Sequence, residues 1–239
     1  MSSAQQLRIA GVQPLTTVEW EGRLAAVAFM QGCPWRCRYC HNHHLIDPRA
    51  PADISWQELR DFLDQRQGLL DAVVFSGGEP TLQPALLPAA RAVHELGFEV
   101  AVHTNGYSPE ALARVLATGV VAYVAMDYKA PVDKYPSITG APESGRAVAD
   151  SLSVVLQSGV EYELRTTYHP ELLSLDDVRT MAVDLREKGV QAYYLQQFRS
   201  EGCADEQLNT SALLPAELPA AFIQELSEMF PRFAFRPAH

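Results

Sequence analysis

Residues 55–106 read SWQELRDFLDQRQGLLDAVVFSGGEPTLQPALLPAARAVHELGFEVAVHTNG, and two periodicities alternate within them. Ser55 stands three residues before Glu58, a capping-box pair that starts a helix. Trp56, Leu59, Phe62 and Leu63 then recur at helical spacing until Gly68 stops it. The run DAVVFSGG is short, apolar and strand-like, PALLPAARAVHEL before Gly97 is helical again, and FEVAVHTN is the next strand. Helix and strand in strict turn predict right-handed βαβ units on a parallel sheet.

The same alternation continues on both sides. Upstream, Arg23 to Gln31 (RLAAVAFMQ) is an apolar run that suits a strand buried on both faces. Downstream, PEALARVLAT is a helix ending before Gly119, VAYVAMDYK a strand, Ser144 to Ser158 a helix before Gly159, and YELRTTYH a strand. SLDDVRTMAVDLREK is a helix before Gly189, and QAYYLQQF is the last strand. Roughly six units fit either an incomplete barrel or an open doubly wound sheet, and both folds place a site on the loops at the carboxyl ends of the strands. The Pro-rich stretch APVDKYPSITGAPESG is expected to be a long functional or mobile loop.

The chain has 239 residues, 47% of them hydrophobic and 20% charged, enough to bury a sizeable core. Nineteen Lys and Arg against 29 Asp and Glu leave a net charge of −10, which argues against a nucleic-acid or anionic-membrane binder. No secretory signal and no apolar stretch of the ~20 residues needed to span a bilayer are read, so a cytoplasmic protein is expected.

Three of the four cysteines, Cys33, Cys37 and Cys40, form C-x3-C-x2-C directly after the first strand, and Cys203 stands alone. Such a tight cluster in a larger chain points to metal or redox chemistry in a reducing compartment rather than to disulfides. Three thiolates can hold a four-iron cluster with one iron open to a small molecule. Alternatively they can hold zinc, if His41, His43, His44 or Cys203 supplies a fourth ligand.

The cysteine motif, with aromatic Tyr39 before its last cysteine, resembles the signature of the radical S-adenosylmethionine (SAM) enzymes. Ser76-Gly77-Gly78-Glu79-Pro80 at the next strand end is similar to that superfamily's GGEP segment. A closer resemblance, through FSGGEPTLQ, HTNG, VAMDYKAP, ELRTTYHPELL and YYLQQFR, is to activating proteins of the anaerobic ribonucleoside-triphosphate reductase, within the glycyl-radical activase group. It covers nearly all of residues 7–199.

That resemblance implies an α/β fold, an incomplete (β/α)6 TIM-like barrel of parallel strands with outer helices. It implies a single radical SAM domain over residues 1–239, with a core at about 22–199 and an extension over 200–239. It also implies that Cys33, Cys37 and Cys40 ligate three irons of a 4Fe-4S cluster while the fourth iron chelates SAM. Gly77 and Gly78 lack side chains where backbone would pass a ligand closely, and Glu79 can accept hydrogen bonds from the methionine amino group. Tyr39, Thr104 and Asn105 are expected near SAM. Asp127 and Lys129, two residues apart on one strand face, are expected to hold a monovalent cation and the SAM carboxylate. Similar activases have aspartate where this chain has His103, so the cation site departs from the pattern there. Arg165, a charge inside an apolar strand, is expected to face an anionic ligand.

Gln196 and Gln197 can line an adenosine pocket or serve the barrel end. His41, His43 and His44 are expected as loop residues and Cys203 as a lone thiol; His94 and His169 have no partner pattern. The implied activity is reductive cleavage of SAM and formation of a glycyl radical on anaerobic ribonucleotide reductase. Flavodoxin or ferredoxin would be the electron donor, because one cysteine outside the motif cannot build a second cluster. Alternatives are a radical SAM enzyme acting on a small molecule, of the queuosine-pathway type, an activase of another glycyl-radical enzyme, and a zinc-stabilised binding module.

Overall fold

The computed structural model describes residues 3–211 and 218–238. The six expected strands are present as β2 to β7, each starting no more than one residue outside the run that encodes it. Among the described residues the strands are β1 (Ile9–Thr16), β2 (Ala25–Met30), β3 (Ala72–Gly77), β4 (Glu99–Thr104), β5 (Val121–Asp127), β6 (Glu161–Tyr168), β7 (Ala192–Gln197) and β8 (Arg232–Arg236). They form one sheet in sequence order, parallel from β2 to β8, with β1 antiparallel to β2. The sheet does not close, so β1 and β8 remain its edges. This is the incomplete barrel. The two edge strands lie outside the core expected at 22–199. Gly11 and Pro14 interrupt β1, and β8 has only five residues.

The helices are α1 (Trp56–Asp64), α2 (Leu86–Glu95), α3 (Pro109–Leu116), α4 (Tyr135–Thr139), α5 (Ser144–Ser158), α6 (Leu175–Glu187), α7 (Glu206–Ser211) and α8 (Ala220–Ser227). The Ser55 hydroxyl accepts the Glu58 N–H at 3.2 Å, and Glu58 Oε2 accepts the Ser55 N–H at 2.7 Å, so α1 starts on its capping box. Trp56, Leu59 and Leu63 are buried; each such side chain contributes about 1.5–3 kcal/mol. The Pro-rich stretch is not an open loop: it holds α4, whose Tyr135 and Ile138 are buried.

Side-chain alternation sorts the strands into two cores. Ala26, Ala28 and Met30 of β2 face outward to the helices in the main cluster, which includes Leu59, Leu63, Leu86 and Leu112. Ala25 and Val27 face inward, with Ala72, Val74, Ala101, Tyr123 and Ala125. Small residues leave the barrel room for Trp20, which enters from the β1–β2 turn and stacks on Tyr123 with ring centroids 5.0 Å apart. No helix of the described residues is long and apolar enough to cross a membrane.

Candidate active site

The cysteine loop leaves the end of β2 and is clamped on several sides. The N–H groups of Gly32 and Cys33 donate to the carbonyls of Leu45 and Ile46 at 2.7 and 3.0 Å, closing the loop on itself. Those of Arg36 and Arg38 donate to Thr139 and Ile138 of α4 at 2.8 and 3.1 Å. Buried Trp35 packs edge-on against Tyr107 and Tyr135. The chain after β7 backs the loop: His41 Nε2 donates to the Arg199 carbonyl at 2.8 Å, and Arg38 pairs with Asp205 at 2.9 Å. The thiol of Cys203 lies 3.5 Å from the Arg38 carbonyl. Thus α4 and the segment around 199–205 are the frame of the motif, a role that no local pattern announced.

The GGEP segment is stitched to the same loop. Gly78 N–H donates to the Met30 carbonyl at 3.0 Å and Glu79 N–H to that of Gly32 at 2.9 Å. Gly77 has φ +106°, and a Cβ there would sit 2.5 Å from the Met30 nitrogen; a Cβ on Gly78 would overlap the Gly32 carbonyl oxygen. The glycines are therefore required by strand-to-loop backbone contact, whatever ligand passes them. Glu79 is placed differently from expectation. It is fully buried and does not line the cavity. Its Oε1 accepts from Thr81 N–H, Thr81 Oγ1 and Thr104 Oγ1 at 3.0, 2.5 and 2.8 Å, and Oε2 accepts the Asn105 N–H at 2.8 Å. Burial pushes this carboxyl above the usual range while the four donors pull it back.

A cavity of about 260 Å³ opens where β2 to β6 end. Cys33, Cys37, Tyr39 and Cys40 form one part of its wall, Gly77, Gly78, Thr104 and Asn105 another, and Asp127, Lys129 and Arg165 the far side. All the expected site residues except Glu79 thus meet at one place. Gln196 joins them; Gln197 instead lines an adjoining cavity of about 420 Å³ and accepts the Ala238 N–H at 3.2 Å. The two cavities share Glu19, His41, Arg165, Thr167, Gln196 and Arg199. His43 bonds the Gly202 carbonyl, and neither it nor His44 lines the first cavity.

The far wall is ionic. Lys129 Nζ lies 2.9 Å from Asp127 Oδ2 and 5.4 Å from the Tyr39 ring centre. Arg165 Nε lies 3.3 Å from Asp127 Oδ1. Burial raises the Asp127 carboxyl, but Lys129 and Arg165 outweigh it and hold the group at about 2. His103 is buried, and its Nε2 bonds the Glu19 carbonyl at 3.0 Å. A carbonyl only accepts, so that nitrogen carries the proton and Nδ1 is an acceptor, 3.4 Å from Arg165 Nη1. Burial, then the Arg165 charge, push His103 well below its ordinary value, so the ring is neutral. Glu19 is a cavity residue that sequence reading missed, because it sits in the turn before β2 and reaches the site only through the fold.

The donor set fits an iron-sulfur cluster: three soft thiols on one loop and one cavity wall. Burial pushes Cys33 up to about 12 and raises Cys37 and Cys40 as well, so the thiolate set is completed by metal charge. Among the described residues no three His, Cys, Asp or Glu side chains gather closely enough to hold a single ion. The carboxylate, ammonium and guanidinium on the far wall fit the charged ends of SAM. Each Asp127 oxygen already faces a basic side chain, Lys129 Nζ on Oδ2 and Arg165 Nε on Oδ1.

A model of the radical SAM superfamily matches residues 27–191. A protein of Methanocaldococcus jannaschii assigned as a glycyl-radical enzyme activating enzyme is 30% identical over 227 residues, which are 92% of this chain and 89% of that one. The pyruvate formate-lyase-activating enzyme of Clostridium pasteurianum is 30% identical over 185 residues, 73% of this chain and 74% of that one. Among solved structures, Streptococcus suis SuiB bound to S-adenosylmethionine aligns with TM-score 0.59 and 14% identity, over 87% of this chain and 48% of that one. TYW1 with a lysine-pyruvate adduct aligns with TM-score 0.60 and 17% identity, over 86% and 72%. These two likenesses concern the fold, and the chain spans about half the length of SuiB.

Proposed function

The chain belongs to the radical SAM superfamily, with glycyl-radical enzyme activating enzymes among its relatives, and from that premise we propose that it places a glycyl radical on an anaerobic ribonucleotide reductase. The observation that supports SAM chemistry in this reading is the meeting of Cys33, Cys37 and Cys40 with Asp127, Lys129 and Arg165 on one cavity, and the reductase as target rests on the resemblance of the sequence motifs. A 4Fe-4S cluster held by Cys33, Cys37 and Cys40 would supply the one electron that reductive cleavage of SAM to methionine needs, and hydrogen abstraction from the partner's glycine would follow from that cleavage. The chain's own part is binding, orientation and electrostatics.

Cys33, Cys37 and Cys40 would hold three irons. The N–H of Asn105 Nδ2, 3.5 Å from Cys33 Sγ, steadies the first thiolate. Lys129, pinned between Asp127 and the face of Tyr39, would hold the SAM carboxylate. The adjoining cavity lies between the β1–β2 turn (Val18, Glu19) and the end of β8 (Arg236, Pro237), the two sides of the unclosed sheet. A loop of the partner would enter there, and flavodoxin or ferredoxin would deliver the electron. In this reading residues 1–239 act as one domain.

A second reading is an activase of another glycyl-radical enzyme, favoured by the similarity to a pyruvate formate-lyase-activating enzyme. One experiment separates them. The anaerobically reconstituted protein, SAM and a reductant are mixed with an anaerobic ribonucleotide reductase or with a pyruvate formate-lyase, and the glycyl radical is read by electron paramagnetic resonance. Signal with the reductase supports the first reading, signal with the lyase alone supports the second, and SAM cleavage with neither refutes the first and excludes pyruvate formate-lyase as the partner in the second.

A further inference from the structure

The resemblance implies a monovalent cation on Asp127, whose oxygens here face Lys129 Nζ at 2.9 Å and Arg165 Nε at 3.3 Å. Where the resemblance implies a second carboxylate the chain has His103, whose Nδ1 lies 3.4 Å from both Arg165 Nη1 and Glu19 Oε2, so that its lone pair and the Glu19 carboxylate converge on the guanidinium. Nη1 also lies 3.8 Å from Glu19 and 3.9 Å from Glu163. Glu163 is paired in turn with Arg236 at 3.1 Å. Three carboxylates of the chain (Asp127, Glu19 and Glu163) are thus matched by three of its basic side chains (Lys129, Arg165 and Arg236), so Asp127 is not left as an unpaired carboxylate that would draw in sodium or potassium.

We propose that the guanidinium of Arg165, held between Asp127 and His103 Nδ1, stands where a monovalent cation would, so that the chain binds SAM without sodium or potassium. The proposal rests on the reading of this cavity as the SAM site. A guanidinium suits the place because it is always charged and its donors lie in one plane, so it can span a carboxylate and an imidazole nitrogen at once. Its position is fixed by covalent attachment to β6 and by burial, and it needs no recruitment from solution.

The test is calorimetric SAM binding by the reconstituted, iron-loaded protein in potassium, sodium or tetramethylammonium chloride at equal ionic strength. The expected result is one dissociation constant, within twofold, in all three salts. Arg165→Met is expected to weaken binding tenfold or more in every salt, and Arg165→Lys to recover part of the loss, with circular dichroism verifying both folds. A tenfold tighter wild-type affinity in potassium or sodium than in tetramethylammonium overturns the proposal, as does unchanged affinity of a folded Arg165→Met. Failure of iron-loaded wild type to bind SAM in any salt removes the underlying SAM-site reading, an outcome distinct from salt dependence, and takes the proposal with it.

Discussion

Glu79 Oε2 accepts the backbone N–H of Asn105 at 2.8 Å, which joins the end of β3 to the end of β4 beneath the cavity. Together with the three bonds to Oε1 it makes this buried carboxylate a bracket for the loop that carries Thr104 and Asn105. Glu79→Ala leaves those donors unpaired, and each buried unsatisfied group costs about 1–3 kcal/mol. The expected outcome is a loss of several kcal/mol in urea denaturation, with iron incorporation falling alongside; wild-type stability in the variant would show that the bracket is not structural.

His103 gives the stability of the apoprotein a pH dependence. It faces Arg165, Asp127 and Glu19, with Arg236 beyond, and it is held neutral in the folded state. Its folded value lies well below the unfolded one, so its contribution is present above about pH 6.5 and is lost as pH falls, with a slope of up to ~1.4 kcal/mol per pH unit. Denaturation between pH 7.5 and 5.5 is expected to show this fall in wild type and a flatter profile in His103→Gln. Parallel profiles would assign the fall to other groups.

Gly78 cannot carry a side chain without moving the Gly32 carbonyl, from which the cysteine loop starts. Gly78→Ala is expected to cost roughly 1–3 kcal/mol by overpacking and to lower iron content after reconstitution. A variant with full iron content and unchanged melting would contradict the close contact.

Asp205 both pairs with Arg38 and accepts the Gln207 and Leu208 N–H groups at the start of α7, each at 3.1 Å. Asp205→Ala removes a cap worth about 0.5–2 kcal/mol and one tie to the cysteine loop. Faster amide hydrogen exchange at residues 36–41 as well as in α7 is expected. Exchange confined to α7 would mean the tie is not transmitted.

The residues that local pattern could place were those whose partners lie nearby in sequence. Ser55 and Glu58 encode the start of α1, and Ser144 to Ser158 is α5. The spacing of the cysteines and the alternation of Asp127 and Lys129 put these side chains around one cavity because strand ends converge there. The other features depend on long-range packing. Glu79 reads as a ligand in the sequence, whereas in the fold it is buried and bonded by Thr81 and, about 25 residues on, by Thr104 and Asn105. Glu19 enters the site from a turn, Tyr135 supports the cysteine loop from a stretch that reads as coil, and β8 joins the sheet as five residues far beyond the alternating units.

The central claim is that this cavity directs hydrogen abstraction at a partner's glycine. The most direct measurement uses a partner glycyl-radical enzyme labelled with deuterium at glycine Cα, incubated anaerobically with the reconstituted protein, SAM and reductant, followed by mass spectrometry of the 5'-deoxyadenosine formed. The account predicts one deuterium transferred per glycyl radical detected, and 5'-deoxyadenosine formed free of deuterium with no glycyl radical on the partner would contradict it.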